Sequence, residues 1–357
     1  MSIKRVFNFN AGPACLPLEV IEEVQTGFTK FDGMSVLEIS HRSKAFEGIM
    51  DESRSLITEL MGVPKDYHIL FLQGGASLQF SMVPMNLMEE RADYVITGHW
   101  AKRAFEEAKL FGEARTIFSS EGSAFSRLPT SAEIATSEGA SYLHITTNNT
   151  IYGSQYQAFP DPGATPLIAD MSSDIMSRLV DVSKFGLIYA SAQKNIGPAG
   201  VTLVIIRDEL TRVNFRSLPT MLCYSAHVKN VSLYNTPPVF AIYVMQLVLR
   251  WMKRSGGIAT IERANEEKAK ILYDVLDASS FYRAPVEKLC RSRMNVVFTL
   301  PDETLTEKFV AQAKERGMVG LKGHRSVGGI RASIYNAFPV EGVKALVEFM
   351  REFERAS

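Results

Sequence analysis

From about residue 17 to residue 210, short apolar runs rich in β-formers alternate with stretches of helical period, and no other feature restricts the chain's architecture as much. Strand and helix in regular succession predict βαβ units, whose parallel strands need helices on both faces to cover them. The predicted strands are HILFL (68–72), DYVIT (93–97), YLHIT (142–146), PLIAD (166–170), FGLIYAS (185–191) and VTLVIIR (201–207). Helical stretches lie between them at 45–62, 77–88 and 100–112, the last closed by Gly112 in the position of a C-terminal glycine. The expected class is α/β, a large domain with a mainly parallel sheet covered by helices.

Near residue 256 the texture changes. A long helix over 255–279 follows a Gly-Gly break; then come MNVVFTL, the helical TEKFVAQAKERG, GGIRASIY and a closing helix VEGVKALVEFMREFE. That order predicts a small C-terminal α+β domain over 256–357, after a large domain over 15–255. The segment 1–14 is expected to pack near the site.

Charge narrows the partners. Lys plus Arg and Asp plus Glu each number 39, so no overall field draws the chain to nucleic acid or to an anionic membrane, and an anionic ligand must be met by local cations. No apolar run reaches the roughly 18 residues of a membrane span, and the opening MSIKRVFNFNAGPACLP has no signal-peptide core. A cytoplasmic protein is expected. Cys15, Cys223 and Cys290 are too few and too scattered for a disulfide framework or a metal site.

Neither a phosphate loop of the G-x-x-x-x-G-K-[ST] kind nor a G-x-G-x-x-G turn occurs. After HILFL comes QGGASLQF, in which Gly74 and Gly75 precede a helix starting at Ala76 and Ser77. Such a turn is either a tight strand-to-helix connection or a phosphate cup, with free N–H groups at the positive end of a helix dipole. Asp170 ends PLIAD, where it can meet a ligand beyond the strand or cap the MSSDIMS segment after it. Lys194 comes just after FGLIYAS; a loop lysine is ordinarily solvated, but one withdrawn from water becomes a nucleophilic amine. The pairing is what matters, since Asp170 and Lys194 each stand at a strand end and can face one crevice. A pyridoxal phosphate site needs a lysine for the aldehyde, an aspartate for the pyridine nitrogen, a glycine-flanked helix start for the phosphate and an aromatic face for the ring. Trp100, just after DYVIT, is the candidate face, or else a core tryptophan at a helix start.

The stretches FNFNAGPACLP, ISHRSKAF, LQGGASLQF, TTNNTIYGSQ, IADMSSDIMSR, AQKNIGPAG, LYNTPPVFAIY and GHRSVGGIRASIYNA together resemble the phosphoserine aminotransferase family, in the class V branch of the type I pyridoxal phosphate-dependent transferase fold. The resemblance spans nearly the whole chain. It implies that Lys194 holds the cofactor aldehyde, Asp170 the pyridinium nitrogen and Thr150 the ring hydroxyl, with Trp100 stacked on the ring. Ala76, Ser77 and Gln193 are implied to bind the cofactor phosphate, and Asn235 and Thr236 to reach it from a second subunit of a homodimer with shared active sites. Arg331 resembles the family's grip on the substrate α-carboxylate, and His41, Arg42, His324 and Arg325 its cluster for the distal phosphate or carboxylate. Part of the family carries arginine where this chain has Ser77.

The implied reaction is the reversible transamination of 3-phosphohydroxypyruvate with L-glutamate, giving O-phospho-L-serine and 2-oxoglutarate in L-serine biosynthesis. Some family members also process 4-phosphohydroxythreonine in vitamin B6 biosynthesis. Arginine's planar fork suits both carboxylate and phosphate, so one pocket can serve glutamate and phosphoserine. The alternatives are a sister activity such as serine–glyoxylate transamination, a desulfurase, for which no cysteine stands in a suggestive setting, and a non-catalytic protein binding a phosphorylated metabolite.

Overall fold

The computed structural model describes residues 5–213 and 215–357; the first four residues of the segment expected near the site lie outside them. Seven strands form the central sheet: β1 (Tyr67–Leu72), β2 (Arg91–Ile96), β3 (Glu113–Ser119), β4 (Leu143–Thr146), β5 (Leu167–Asp170), β6 (Leu187–Ser191) and β7 (Thr202–Arg207), in the order β1-β7-β6-β5-β4-β2-β3. All neighbours are parallel except at β7, which runs antiparallel to both β6 and β1. The fold is therefore α/β with a mainly parallel sheet.

Alternate residues along each central strand enter opposite cores. Ala169, Ile188, Ala190, Leu203 and Ile205 join one apolar cluster, while Ile168, Leu187, Tyr189, Val204 and Ile206 join another. Burial on both faces is why these strands read as unbroken apolar runs. The first face packs on α1 (Lys44–Met61) and α4 (Val239–Arg254), the second on α2 (Gly75–Leu87) and α3 (His99–Ala108). Ser43 caps α1 by accepting the N–H of Phe46, and Gly62 ends it at φ 64°.

Three elements depart from the sequence reading. The third helix stops at Ala108 with Lys109 in right-handed geometry, so Gly112 does not terminate it. Gly112 instead enters β3, where a side chain would strike the carbonyl oxygen of Glu90. β3 was not expected: its sequence EARTIFS is a half-exposed edge strand without alternation, guarded by charge. Helix α4 is so apolar over VFAIYVMQLVLRWMKR that its period is hidden.

Beyond α4, α5 (Gly257–Ala278), β8 (Asn295–Phe298), α6 (Glu303–Glu315), β9 (Ile330–Ser333) and α7 (Val340–Ala356) enclose a third apolar cluster that includes Leu272, Phe298, Phe309 and Phe349. β8 and β9 pair antiparallel. Phe9 belongs to this cluster, and Phe7–Asn8 pairs in parallel with Met318–Val319, so the chain's two ends are sewn together. Gly320 closes that seam at φ +82°, and a Cβ there would lie 2.7 Å from the backbone nitrogen of Asn10. Gly320→Ala should cost about 1–3 kcal/mol of stability; an unchanged urea midpoint would remove this glycine's role in the seam. Among the described residues no helix is long and apolar enough to cross a membrane, and no group of His, Cys, Asp and Glu could hold a metal ion.

Candidate active site

Strands β4, β5 and β6 end side by side, and their carboxyl ends with the start of α2 bound a cavity of about 300 Å³. This is the position at which open α/β sheets bind ligands. Gly74 and Gly75 turn into α2 at φ +86° and +66°; a Cβ on Gly74 would lie 2.6 Å from Leu78. Glycine is required there because φ is positive and Leu78 leaves no room for a side chain. The Ala76 N–H donates to Ser191 Oγ at 2.8 Å, tying the helix start to the end of β6.

Asp170 ends β5 in register with Thr146 of β4 and Tyr189 of β6. It is buried, and its Oδ1 accepts the Ser172 N–H at 2.9 Å. Burial pushes its pKa up, opposed by the Ser172 hydrogen bonds and by the charge of Lys194. Lys194 Nζ donates to Thr150 Oγ1 at 2.7 Å. Burial holds that amine down at about 8, with Arg331 pushing the same way and Asp170 opposing. At neutral pH a modest fraction of it is free base, as a nucleophile or general base requires.

The N-terminal segment closes one wall. The Ala14 N–H donates to the Gln193 carbonyl at 2.9 Å, and Gly12, at φ +146°, lies so close that a Cβ would be 3.3 Å from Lys194 Cγ. Tyr335 is buried behind it, donating its hydroxyl to the Ala11 carbonyl at 2.7 Å and accepting from Asn295 Nδ2 at 3.1 Å. Asn148 donates to Asn295 Oδ1 at 2.8 Å, so the cavity floor is bonded directly to β8. Every one of these buried amides has a partner, which fixes the loop carrying Thr150.

The cations are unpaired. Neither Arg325 nor Arg331 has a carboxylate partner among the described residues, and the buried Nε of Arg331 has no hydrogen-bond partner at all. Arg325 is exposed, but the Arg331 guanidinium is half-buried without a carboxylate, and such a group calls for an anionic ligand. A larger, open groove of about 620 Å³ elsewhere, between Asn86, Arg216 and Lys229, has no carboxylate in its lining and so offers no acid–base pair.

A lysine of depressed pKa, a buried carboxylate and a glycine-led helix start around one cavity, with Arg331 acting on the lysine, are the parts that aminotransferase chemistry uses. The family model for class-V aminotransferases matches residues 6–346. The chain belongs to the class-V aminotransferase family. It is 53% identical to a phosphoserine aminotransferase of Bacillus cereus over 99% of both chains. It resembles the solved phosphoserine aminotransferase of Bacillus circulans subsp. alkalophilus at 50% identity, with a TM-score of 0.97 over 99% of each chain. It also resembles the PLP-bound phosphoserine aminotransferase of Trichomonas vaginalis at 39% identity, with a TM-score of 0.93 over 97% of this chain and 100% of that one.

In this class-V aminotransferase, Ala76, Ser77, Trp100, Thr150, Asp170, Gln193 and Lys194 all line the cavity. Arg331 bears electrostatically on both His324 and Lys194, while none of Arg331, His324 and Arg325 is among the residues that line the cavity. His41, Arg42, Asn235 and Thr236 do not line it either. Arg42 is exposed in the turn before α1, and Thr236 is exposed, its carbonyl accepting from Gln73 Nε2 at 3.2 Å.

Other functional residues escaped the sequence reading: Gly12 against Lys194, the Ser172 and Ser191 pair that braces Asp170 and α2, and Tyr335 with Asn295 and Asn148. Only long-range packing unites them, although FNFNAGP and SIYNA stood among the matching stretches. The cavity also fits the cofactor of the resemblance on its own terms. Thr146 Oγ1 is buried in the wall without a partner, and the glycine turn, the amine of Lys194 and the buried carboxylate are groups of the kind pyridoxal phosphate engages.

Proposed function

We propose that this aminotransferase is pyridoxal phosphate-dependent and interconverts 3-phosphohydroxypyruvate plus L-glutamate with O-phospho-L-serine plus 2-oxoglutarate. The observation that carries the reading is the facing of Lys194 and Asp170 across one cavity, with Arg331 acting on the lysine. When bound, the cofactor supplies an aldehyde and a protonated pyridine ring that acts as an electron sink. Lys194 would hold the aldehyde, and its amine when free is the general base for the substrate's α-proton. Asp170 keeps the ring nitrogen protonated, Trp100 covers the ring, and Thr150 holds the ring hydroxyl. Ala76, Ser77 and Gln193 receive the phosphate through the start of α2.

Arg331 takes the substrate α-carboxylate, and His324 with Arg325 the distal anion. A homodimer completes the site: Asn235 and Thr236 of a second copy reach the cofactor phosphate, and His41 and Arg42 the distal anion. What supports this is that these four residues match the family's motifs and are not among those that line the cavity in one chain. The division into a large domain over 15–255 and a small one over 256–357, the segment 1–14 lying against the site, and a cytoplasmic location belong to the same reading.

The test is a panel of amino donors given to purified, cofactor-loaded enzyme with 2-oxoglutarate. Phosphoserine should exceed serine and alanine in kcat/KM by about 10²-fold or more, because each lost charge-assisted contact costs about 1.5–3 kcal/mol. Including 4-phosphohydroxythreonine decides whether the vitamin B6 precursor shares the pocket. A preference for uncharged donors would sink the assignment.

A further inference from the structure

His99 stands outside every role assigned above, yet its ring lies near that of His324, a residue of the proposed anion cluster. It opens α3 directly before Trp100, and its ring sets edge-on to that indole with centroids 5.0 Å apart and planes at 77°. On its other side lies His324, ring centroids 6.4 Å apart. His99 is half-buried between them. The charged groups that face it are Lys102 and Arg103 from its own helix and Arg325 from the loop opposite. Those facing His324 are Arg331, His99 and Arg325. Not one is a carboxylate. Lys102 is tied to Glu121 at 2.7 Å, but the other cations have no acidic partner among the described residues.

We propose that the imidazole of His99 is a specificity-determining contact for the substrate's distal anion, joined there with His324 and Arg325. The inference rests on the functional reading above for the identity of that anion. Two imidazoles facing one another among arginines repel when both are protonated, and burial with the neighbouring cations lowers the pKa of each. A bound phosphate reverses this: it lies against both rings and stabilises their charged forms. Binding of the anion and protonation of His99 are therefore linked, and the site tightens on a phosphate as pH falls through the imidazole range. The fixed charges of Arg325 and Arg331 supply the affinity that does not vary with pH.

The experiment uses the cofactor-loaded enzyme with ¹³C-labelled histidine, the His99 resonance being identified by its loss in His99→Asn. Inorganic phosphate should move the His99 titration midpoint upward by about one pH unit. In steady state at about pH 6.5, His99→Asn should raise KM for phosphoserine about tenfold with little change in kcat, while KM for alanine stays put. His99→Arg should restore the low KM and flatten its rise with pH. A His99 midpoint that phosphate does not move, or a His99→Asn enzyme with the parental KM for phosphoserine, overturns the inference and leaves the functional reading intact. An enzyme that ignores phosphoserine while phosphate still shifts His99 overturns the substrate assignment and keeps the anion site.

Discussion

Lys194→Ala should lower transamination of phosphoserine by about 10³-fold or more, because the variant lacks both the amine that holds the cofactor and the base that moves the proton. The folded chain should survive the change. The native amine has a pKa of about 8 in the folded protein against an ordinary 10.5, held down by burial. A lysine depressed in this way makes the folded state bind fewer protons than the unfolded state between those values, so its contribution to stability improves as pH rises through the interval. Below about pH 8 the cofactor-free native protein carries the cost of a buried ammonium that the variant does not. The variant's melting temperature relative to the native protein should therefore be more favourable at neutral pH than near pH 10. Retained turnover would take Lys194 out of the mechanism, and a variant that gains on the native protein as pH rises would contradict the buried-ammonium account.

Asp170→Asn is the second large effect. The substitution preserves size and removes the carboxylate proposed to face the ring nitrogen, so turnover should fall by about 10²–10³-fold, as when one preorganised electrostatic partner is lost. It has a second signature that needs no catalysis. Asp170 raises the pKa of Lys194, opposing the burial that lowers it. Without that carboxylate the amine should titrate below its native midpoint of about 8, read from the pH dependence of Lys194 acylation in cofactor-free protein. An unmoved or raised midpoint would show that the two groups do not sense one another across the cavity.

The sheet was legible because burial on both faces leaves its inner strands as bare apolar runs, such as FGLIYAS and VTLVIIR, which no other arrangement tolerates at that length. Its edge was not: β3 carries Glu113 and Arg115 where an inner strand would carry valines, and these charges ion-pair with each other. Helix α4 was hidden for the opposite reason, apolar on every side. The centre of the site was legible because Asp170 and Lys194 each sit at or just past a strand end, where sheet geometry alone brings them together. Gly12, Tyr335 and His99 were not, since their places depend on how the N-terminal segment, the region after β9 and the start of α3 meet across hundreds of residues. For His41, Arg42, Asn235 and Thr236 the motif carried information that the single chain's packing does not repeat, in keeping with the homodimer proposed above.

The central claim is that Lys194, and no other lysine, holds the cofactor. The chain offers a real competitor, because Lys268 is also buried, with its pKa brought down to about 7 by burial, and donates to the carbonyls of Ile334 and Tyr335 at 2.9 and 2.6 Å. Borohydride fixation of pyridoxal phosphate on the purified enzyme, with proteolysis and mass spectrometry of the labelled peptide, separates the two. The label should fall on Lys194 in a peptide spanning AQKNIGPAG, with loss of the visible absorbance. A label on Lys268 or another lysine, or none on cofactor-saturated protein, would contradict the account.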